Sequence, residues 1–526
     1  MTTIKDFGKI FRSNPTLQEL CRRVTEGGRR RHIALDGLNA SAVSLATAAL
    51  FDEKCCNNIL VIADDADKAG YLYFDLTQLI GSDRVAFFPA LYKHIHKSGA
   101  TIAENGILRT DSLNKISDGK PCIIVSYPDA ISEKVVAADR FASARIALTK
   151  GQEYAMSTLL DDLRNSGFDE VDFVYEVGQY SQRGSIVDVF SYSNELPYRI
   201  DFFGDTVESI RTFDIERQLS IEEVDRLAVV AATDSEEQGK VSLLEFVAPD
   251  TLIVANDIDY CIKRIDQIYS QALVKANEQR QTSDLYSLLI DGDGFRQQLE
   301  AFFTVEVLRN YYKADTLVFA TTLQPNFNKN FDLISKNIKQ YIADGYRIYI
   351  ASDSKKQIDR ITSIFDDRGD DISFEAVDKT LHEGFVDNDL KVCFFTDHQI
   401  FDRFHRFSLK SDTARRGKAA MLIKELNSLK PGDFVVHHDH GVGQFAGLLT
   451  TNINGKPQEV IKLIYKGGDI IFVNISSLHK ISKYRGKEGV DPMLSKLGTG
   501  AWERLKERTK TKVKDIARDL IRLYAK

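Results

Sequence analysis

The sequence predicts a multidomain protein of the α/β class that also carries small β domains. Residues 30–145 alternate short apolar runs with helical patterns, which indicates a parallel sheet flanked by helices. Residues 170–215 alternate β-branched or aromatic residues with polar ones between glycines, and residues 431–484 are also all-β in pattern. A chain of 526 residues has the length of three to four domains.

The predicted elements divide the chain in order. The first α/β part has the apolar runs HIAL (32–35), NILVIA (58–63), RVAFF (84–88) and CIIVSY (122–127). TLIVA (251–255) and TLVFA (316–320) return to this pattern, and the run at 316–320 can join the first sheet, which makes the β segment an insertion. RIYIAS (347–352) and KVCFFT (391–396) predict another α/β unit. The predicted segments are 1–145 and 217–325 for the first α/β domain, 146–216 for the insert, 326–430 for a small α/β spacer, 431–486 for a β domain, and 487–526 for a linker and amphipathic helix.

Composition and charge exclude several classes of protein. Apolar residues make up 43% and charged residues 28%, so the chain is neither a disordered segment nor a disulfide scaffold. The six cysteines form no C-x-x-C pair, and there is neither a signal peptide nor an apolar run long enough to cross a membrane. We therefore expect a cytoplasmic protein. The net charge is −7, yet residues 485–526 hold 12 Lys/Arg and 6 Asp/Glu, which sets this segment apart.

Nucleotide-binding motifs are degenerate or misplaced. No GK[ST] occurs, and the turn ALDGLNASAVS after the first strand has Gly37 and Asn39 but lacks the phosphate-binding lysine. GVGQFA (441–446) fits a dinucleotide fingerprint, but another strand pattern follows it where a helix is required, so a hairpin is the preferred interpretation.

Two other clusters have both a chemical and a structural interpretation. HHDH (437–440) suggests a metal site, but alternation along a strand leaves too few ligands on one face, so local backbone bonds are preferred. Asp64 and Asp65 follow a predicted strand, where they can hold magnesium or cap the next helix, and capping is preferred. From the residues alone, the protein is predicted to bind partners.

Three segments carry a family resemblance. RGSIVDVF (183–190) with LPYRIDFFGDTVESIRTFD (196–214) resembles the UvrA-docking domain shared by UvrB and the transcription-repair coupling factors, the Mfd family. GDFVVHHDHGVGQFAGL (432–448) with LIYKGGDIIFVNISSLHKISKY (463–484) resembles the CarD-like, RNA-polymerase-interacting module of that family. KLGTGAWERLKERTKTKVKDIARDLIRLYA resembles the linker helix that follows it.

The resemblance implies the N-terminal half of a coupling factor. The expected fold is a UvrB-like, degenerate P-loop-type sheet domain with an inserted α+β docking domain, a second small α/β domain, an SH3-like or Tudor-like barrel and a C-terminal amphipathic helix. The family's intact protein is an ATP-driven translocase on double-stranded DNA, and the chain ends where its motor should begin. We therefore expect an adaptor that is not itself an enzyme, with ATP and magnesium needed only in the motor. Because the family masks its docking surface with a C-terminal domain, we also expect constitutive UvrA binding.

The resemblance also implies the contact residues. For UvrA these are Arg183, Tyr180, Phe190 and Arg199; the alternative for Arg183 is a local salt bridge. Phe190, Phe202 and Phe203 are expected to be mixed, with at least one of them in the core. For the polymerase β subunit, we expect strand addition along an edge before the Asn454-Gly455 turn, or else residues that merely close the barrel. This edge consists of Leu448, Leu449, Thr450, Thr451, Asn452 and Ile453.

Alternative functions remain open at this point. One is a UvrB-like, nucleotide-dependent repair enzyme with an unorthodox phosphate site at Gly37–Ser41. Another is a CarD-like regulator that acts through polymerase alone, which leaves RGSIVDVF unexplained. The basic helix 501–526 is expected to pack on the motor, with a solvated face or DNA contact as alternatives. No function follows for residues 326–430.

Overall fold

The computed structural model forms two compact units, residues 1–144 with 232–409 and residues 145–231 with 410–526. It describes residues 2–27, 31–91, 99–143, 145–192, 196–215, 218–230, 240–279, 288–308, 316–327, 329–403, 429–453, 456–474, 480–484, 492–500, 502, 504, 506 and 508. Each unit is described by itself. No helix among these residues is long and apolar enough to cross a membrane.

The first α/β domain comes from two stretches of chain, one on each side of an insertion. Its first stretch contains α1 (Ile4–Phe11), α2 (Pro15–Glu26), β1 (His32–Asp36), α3 (Ala42–Asp52), β2 (Ile59–Ile62), α4 (Ala66–Ile80), β3 (Val85–Phe87), α5 (Gly99–Ser117), β4 (Ile123–Ser126), α6 (Pro128–Ile131), β5 (Val135–Val136) and α7 (Ala138–Ser143). The inserted β domain follows, with β6 (Ile146–Thr149), α8 (Met156–Asn165), β7 (Asp169–Glu170), β8 (Gln179–Arg183), β9 (Ile186–Val189), β10 (Tyr198–Phe203), β11 (Thr206–Phe213), β12 (Ser220–Val224) and β13 (Arg226–Val229). The chain then returns with β14 (Lys240–Val241), α9 (Leu243–Phe246), β15 (Leu252–Ala255), α10 (Ile258–Gln279), α11 (Gly292–Leu299), β16 (Phe303–Leu308) and β17 (Leu317–Val318).

A seven-stranded parallel sheet joins both stretches in the order β17-β1-β16-β15-β2-β4-β3. Every residue of β2, β4 and β15 is buried, because helices cover both faces of a parallel sheet. Continuous apolar runs such as ILVI and LIVA are the consequence.

The second α/β domain contains β18 (Thr321–Leu323), α12 (Phe331–Ala343), β19 (Arg347–Ala351), α13 (Lys355–Asp367), β20 (Glu375–Val377), β21 (Phe385–Asp387), β22 (Val392–Thr396) and α14 (Asp397–Ile400). Its mixed sheet has the order β18-β21-β22-β19-β20. The beginning of the chain also packs here, because the Phe7 ring of α1 lies 5.0 Å from the Tyr349 ring and 4.6 Å from the Phe394 ring. The sequence analysis assigned α1 to the first domain only.

The inserted β domain is a six-stranded sheet in the order β12-β11-β10-β9-β8-β7. One face packs with α8 into an apolar core that includes Val187, Val189, Ile200 and Phe202. Strand β12 pairs with β11, and β13 pairs with β6. The domain therefore extends beyond the predicted end at residue 216.

The C-terminal β module consists of β23 (Phe434–His437), β24 (Gly441–Ile453), β25 (Lys456–Ile464), β26 (Ile470–Asn474) and β27 (Ile481–Lys483). Its antiparallel sheet has the order β26-β25-β24-β23-β27. The apolar core of the module is continuous with Phe173, Phe190 and Phe213 of the inserted β domain. Apart from residues 502, 504, 506 and 508, the predicted helix 501–526 lies outside the described residues.

Candidate protein-docking sites

A buried carboxylate organises one face of the inserted β domain. Asp188 on β9 is directly opposite Arg199 on β10 and Ser181 on β8. Arg183 is two residues beyond Ser181, so its side chain is on the same face, because side chains on a strand alternate. We call this side of β8, β9 and β10 the arginine face. It carries Arg183, Asp188, Arg199, Asp201 and Phe203.

Both arginines are held by Asp188. Arg199 donates from Nε to Asp188 Oδ1 over 2.7 Å and from Nη2 to Oδ2 over 2.8 Å, and Arg183 donates to the same Oδ2. The Arg183 guanidinium lies 5.0 Å from the centre of the Phe173 ring, and that of Arg199 lies 4.5 Å from the Phe213 ring. The arginine side chains remain 19% and 16% exposed, while that of Asp188 is fully buried. The local salt bridge considered for Arg183 is therefore present.

Tyr180 and Phe190 lie in the core, which corrects their assignment as contact residues. The expectation that at least one of Phe190, Phe202 and Phe203 is core is confirmed. Tyr180 is on the opposite face of the sheet, and its hydroxyl donates to Glu170 Oε2 over 3.0 Å. Phe190 belongs to the apolar cluster shared with the C-terminal β module. Neither ring is open to a partner in this conformation.

Phe203 is the exposed aromatic residue of the arginine face. Phe202 is 4% exposed and Phe203 is 78% exposed, because successive residues of β10 point to opposite faces of the sheet. Phe203 is the last residue of β10, and the neighbouring Phe202 N–H donates to Ser185 O beside the β8–β9 turn. The sequence analysis expected at least one of Phe190, Phe202 and Phe203 in the core without saying which; strict alternation from Ile200 separates Phe202 from Phe203.

The C-terminal β module has an open stretch of backbone along β24. Residues 441–444 pair with β23, whereas residues 448–453 pair with β25 on one side only. Within the described residues, no strand pairs with the other edge of 448–453. Leu449 is 45% exposed there; the side chains at 448 and 450–453, and the Asn454-Gly455 turn, lie outside the described residues. A register shift between Phe445 and Leu448 separates the paired half from the open half.

The histidine cluster beside this strand is bonded locally. The Asp439 N–H donates to His437 Nδ1 over 3.1 Å, and His438 Nδ1 is 2.7 Å from Asp439 Oδ1. Burial, followed by the neighbouring His440, lowers the pKa of His437 to about 4. Among the described residues, no three His, Cys, Asp or Glu side chains are grouped to hold a metal ion. Residues 441–453 form a strand, so the helix that a dinucleotide site requires does not follow GVGQFA.

The turn at Gly37–Ser41 makes protein contacts. The Asn39 N–H donates to Thr321 Oγ1 over 2.9 Å, and the Ser41 N–H donates to Glu383 O over 3.4 Å. The Gly37 N–H donates to Asp36 Oδ1, and a Cβ on Gly37 would lie 2.1 Å from Phe319 O. These N–H groups are the donors that a phosphate cradle would need, and here they bind protein oxygens.

The neighbouring acidic pair caps a helix. Asp65 accepts from the Lys68 N–H over 2.9 Å at the start of α4, and Asp64 pairs with the Lys68 side chain. The capping interpretation of Asp65 is confirmed.

Comparisons with known proteins match both β regions of the chain to family models. Residues 146–234 match the family model described as the UvrB interaction domain, and residues 429–485 match the CarD-like/TRCF RID domain. The transcription-repair-coupling factor of Bacillus subtilis strain 168 is 22% identical over 581 residues, which cover 93% of this chain and 48% of that protein. Those of Staphylococcus aureus strain USA300 and Staphylococcus haemolyticus strain JCSC1435 are 23% and 22% identical, over 89% and 94% of this chain and 46% and 48% of their own lengths.

The chain is therefore similar to transcription-repair-coupling factors over about nine tenths of its length. It spans about half the length of the curated relatives it matches. The UvrB interaction model covers β6 to β13, including the two strands that the sequence analysis placed outside the insert. The CarD-like/TRCF RID model covers β23 to β27.

Proposed function

We propose that this chain is the adaptor part of a transcription-coupled nucleotide excision repair factor. The inserted β domain docks UvrA, and the C-terminal β module docks the β subunit of RNA polymerase. The observation that carries the proposal is that the two family matches fall on the two β domains that present an exposed aromatic residue and an open strand edge. ATP-driven translocation on DNA is assigned to segments of the longer relatives beyond the matched half.

UvrA docking is centred on the open end of the arginine face. An exposed phenylalanine on the same face as two partly exposed guanidinium groups has the features of an interface hot spot, because it offers apolar area that a pocket can desolvate. Arg183 and Arg199 act mainly by holding β8, β9 and β10 in register through Asp188. Their partly exposed ends add cationic donors for carboxylates on UvrA. Tyr180 and Phe190 support the sheet from within.

The UvrA arm is tested by titration of the full chain with UvrA. Full burial of a phenylalanine is worth about 1.5–3 kcal/mol, so Phe203→Ala should weaken the Kd by about 10- to 100-fold. Leu219→Ala is the matched control, because Leu219 is 53% exposed in the same domain but lies beside β12, away from the β10–β11 turn. Equal UvrA binding by wild type and Phe203→Ala would refute UvrA docking at the arginine face.

Polymerase docking is assigned to strand addition along residues 448–453. A strand that is paired on one side offers backbone N–H and C=O groups on the other, and an extended segment of the partner binds by completing the ladder. The exposed Leu449 adds an apolar contact at this edge. Because the ladder is made by backbone groups, specificity for the polymerase segment depends on the side chains of that segment.

A pair of proline substitutions tests the polymerase arm. Thr450 and Thr451 are adjacent in β24, so one N–H points to β25 and the other to the open edge. Proline removes the N–H at each position. One variant should keep the hydrogen-exchange protection of the module and lose polymerase binding, while the other should lose protection. If both variants bind the polymerase β subunit as wild type does, strand addition at this edge is refuted.

A nucleotide-dependent enzyme centred on Gly37–Ser41 is the weaker candidate. Phosphate binding there would require breaking the bonds to Thr321 and Glu383. Isothermal titration of the full chain with ATP and magnesium tests this alternative. It would be supported if the chain binds ATP stoichiometrically and if substitutions in residues 37–41 abolish that binding.

A further inference from the structure

A cavity lies between α1 and the helices α3 and α4 of the first α/β domain. Its volume is about 190 Å³, which is room for about six water molecules. The apolar part of its lining comes from α3 and α4 and consists of Leu45, Ala48, Ala49 and Leu79. A second cavity of about 470 Å³ shares Lys9 and Arg12 with the first and extends to α2. The two spaces therefore adjoin along α1.

One face of α1 lines the smaller cavity with positive charge. Residues three and four positions apart lie on the same face of a helix. The lining residues from α1 and its C-cap fit this spacing, and we call them the basic stripe: Lys5, Gly8, Lys9 and Arg12. Arg84, which directly precedes β3, adds a fourth cation. Among the described lining residues Asp52 is the single carboxylate, so the lining has a net charge of +3.

Two cations of the stripe have carboxylate partners. Arg12 donates to Asp52 and to Glu53, which fixes its guanidinium at the boundary between the two cavities. Lys9 Nζ is 2.7 Å from Asp6 Oδ1, but both side chains are more than half exposed. Exposed ion pairs of this kind contribute little, because solvent screens them. Lys9 can therefore turn from Asp6 to an anion in the cavity.

The other two cations have no such partner. Within the described part of the chain, no carboxylate forms an ion pair with Lys5 or Arg84. Arg84 donates from Nη2 to Ile80 O over 3.3 Å, and its guanidinium lies 5.4 Å from the centre of the Phe51 ring. These contacts hold the guanidinium at the cavity and leave N–H donors for a ligand, because the group carries five of them.

Gly8 provides an independent observation. Glycine inside a helix is less favourable than alanine, because it loses more backbone entropy on folding. A Cβ at this position would have no atom within 4 Å, so packing inside the protein does not require a glycine there. Gly8 lines the cavity in the middle of the basic stripe. The missing side chain keeps this space open between cations, which is the arrangement that a bound anion needs.

We propose that this cavity binds a small molecule that carries a phosphate or diphosphate group. Lysine ammonium groups bind phosphate as point charges, and an arginine guanidinium can bind two of its oxygens. A net charge of +3 complements a diphosphate better than it complements a single carboxylate. The second cavity has the volume of a small-molecule pocket, so it can take the body of a larger ligand.

This site is separate from the functions proposed above. Neither cavity is lined by residues 37–41, where the alternative nucleotide site was considered. Both belong to the unit of residues 1–144 with 232–409, whereas the two docking sites belong to the other unit. Loss of phosphate binding here and loss of UvrA or polymerase docking are therefore distinguishable.

The test is isothermal titration of the full chain with inorganic pyrophosphate in the absence of magnesium. We expect saturable binding of one pyrophosphate per chain. Lys5→Ala and Arg84→Ala should each weaken the Kd roughly tenfold, because each removes a charged donor. Lys356→Ala is the matched control, because Lys356 is an exposed lysine of α13 that does not line either cavity. This control removes the same charge and should bind as wild type does.

Gly8→Leu tests the role of the open space. The variant keeps every cation and fills the cavity, so it should also weaken pyrophosphate binding at least tenfold. Leucine is favourable in a helix, so hydrogen exchange of α1 should be as slow as in wild type, which separates lost binding from lost folding.

Titration with ADP distinguishes the sources of the diphosphate group. Tighter binding of ADP than of pyrophosphate, with the same dependence on Lys5 and Arg84, supports a ligand whose body lies in the second cavity. Equal or weaker binding of ADP, with that same dependence, supports a free diphosphate.

Three results would overturn the proposal. The first is the absence of saturable pyrophosphate binding by the wild-type chain at millimolar concentrations. The second is pyrophosphate binding that Lys5→Ala, Arg84→Ala and Gly8→Leu leave unchanged. The third is a chain that binds a DNA duplex through Lys5 and Arg84 but does not bind pyrophosphate, which would assign the basic stripe to a nucleic-acid backbone.

Discussion

Asp188 is expected to be the most sensitive polar position of the inserted β domain. The substitution Asp188→Asn keeps the shape of the side chain and removes its charge. Three charge-assisted hydrogen bonds end on this carboxylate, two from Arg199 and one from Arg183. In the variant, two guanidinium groups remain in a largely desolvated pocket without the carboxylate that they share.

The expected loss of stability in Asp188→Asn follows from the burial of the three side chains. Removing one member of a buried ion pair costs about 3–5 kcal/mol. The arginine side chains are 19% and 16% exposed, so water recovers part of this loss, and we expect about 3 kcal/mol. Arg183→Gln leaves the bidentate Arg199–Asp188 pair intact and removes a single charged hydrogen bond of a partly exposed side chain, so we expect about 1.5 kcal/mol, the lower end of the range for such bonds.

Local hydrogen exchange is the appropriate assay. The chain has several domains, so a single unfolding midpoint is not a defined quantity. Amides of β9, β10 and β11 report the opening free energy of this sheet, and about 3 kcal/mol corresponds to roughly 100-fold faster exchange. Amides of β2 and β15 serve as internal controls in the other unit.

The relative exchange rates of the two variants test whether Asp188 holds both arginines. Asp188→Asn must accelerate exchange in β9 to β11 by more than Arg183→Gln does. Equal acceleration, or an Asp188→Asn protein with wild-type protection, would refute the view that the carboxylate holds two cations.

Two further predictions concern the first α/β unit. Gly37→Ala should destabilise the turn by several kcal/mol more than Gly27→Ala, because both residues have positive φ but only the Gly37 methyl would meet Phe319 O; exchange of residues 316–323 measures the difference. Burial raises the pKa of Asp75 from 3.8 to about 7, against donors that include the Ser41 and Ser44 hydroxyls and the His382 N–H. A carboxyl group with a raised pKa stabilises the fold fully below pH 3.8, and this contribution is lost as the pH rises to about 7. Asp75→Asn should therefore flatten the dependence of α4 exchange protection on pH in this interval, after correction for intrinsic exchange. If Asp75→Asn leaves the pH dependence of α4 protection unchanged, the raised pKa of Asp75 is contradicted.

The sequence was sufficient for the kinds of sheet in the protein. Continuous apolar runs at 59–62 and 252–255 indicate strands buried on both faces, and the structure places them in one parallel sheet. The punctuated pattern around Gly184 and Gly204 predicts a small antiparallel sheet, and the sheet is antiparallel apart from its parallel β7–β8 pair. The all-β pattern of 431–484 is confirmed by the five-stranded C-terminal sheet. The helix cap at Asp65 was also predictable, because it depends on contacts within four residues.

The domain limits and the exposed residues required the tertiary structure. The residues of β12 and β13 continue the inserted domain only because they meet β11 and β6, and α1 joins the second α/β domain through rings more than 300 positions away. Alternation along a strand separates two faces but does not say what covers each of them.

The arginine face shows the same division between local and long-range information. The family resemblance pointed to Arg183 and Arg199 on this face, and their role as UvrA contacts stays a prediction. Whether an aromatic ring on either face reaches a partner depends on the apolar clusters that enclose Tyr180 and Phe190 and leave Phe203 in solvent. Sequence by itself determined the periodicity and local capping of the elements, since these arise from neighbouring residues. Only the fold decided which surfaces remain open, because burial depends on contacts between segments that are remote in the chain.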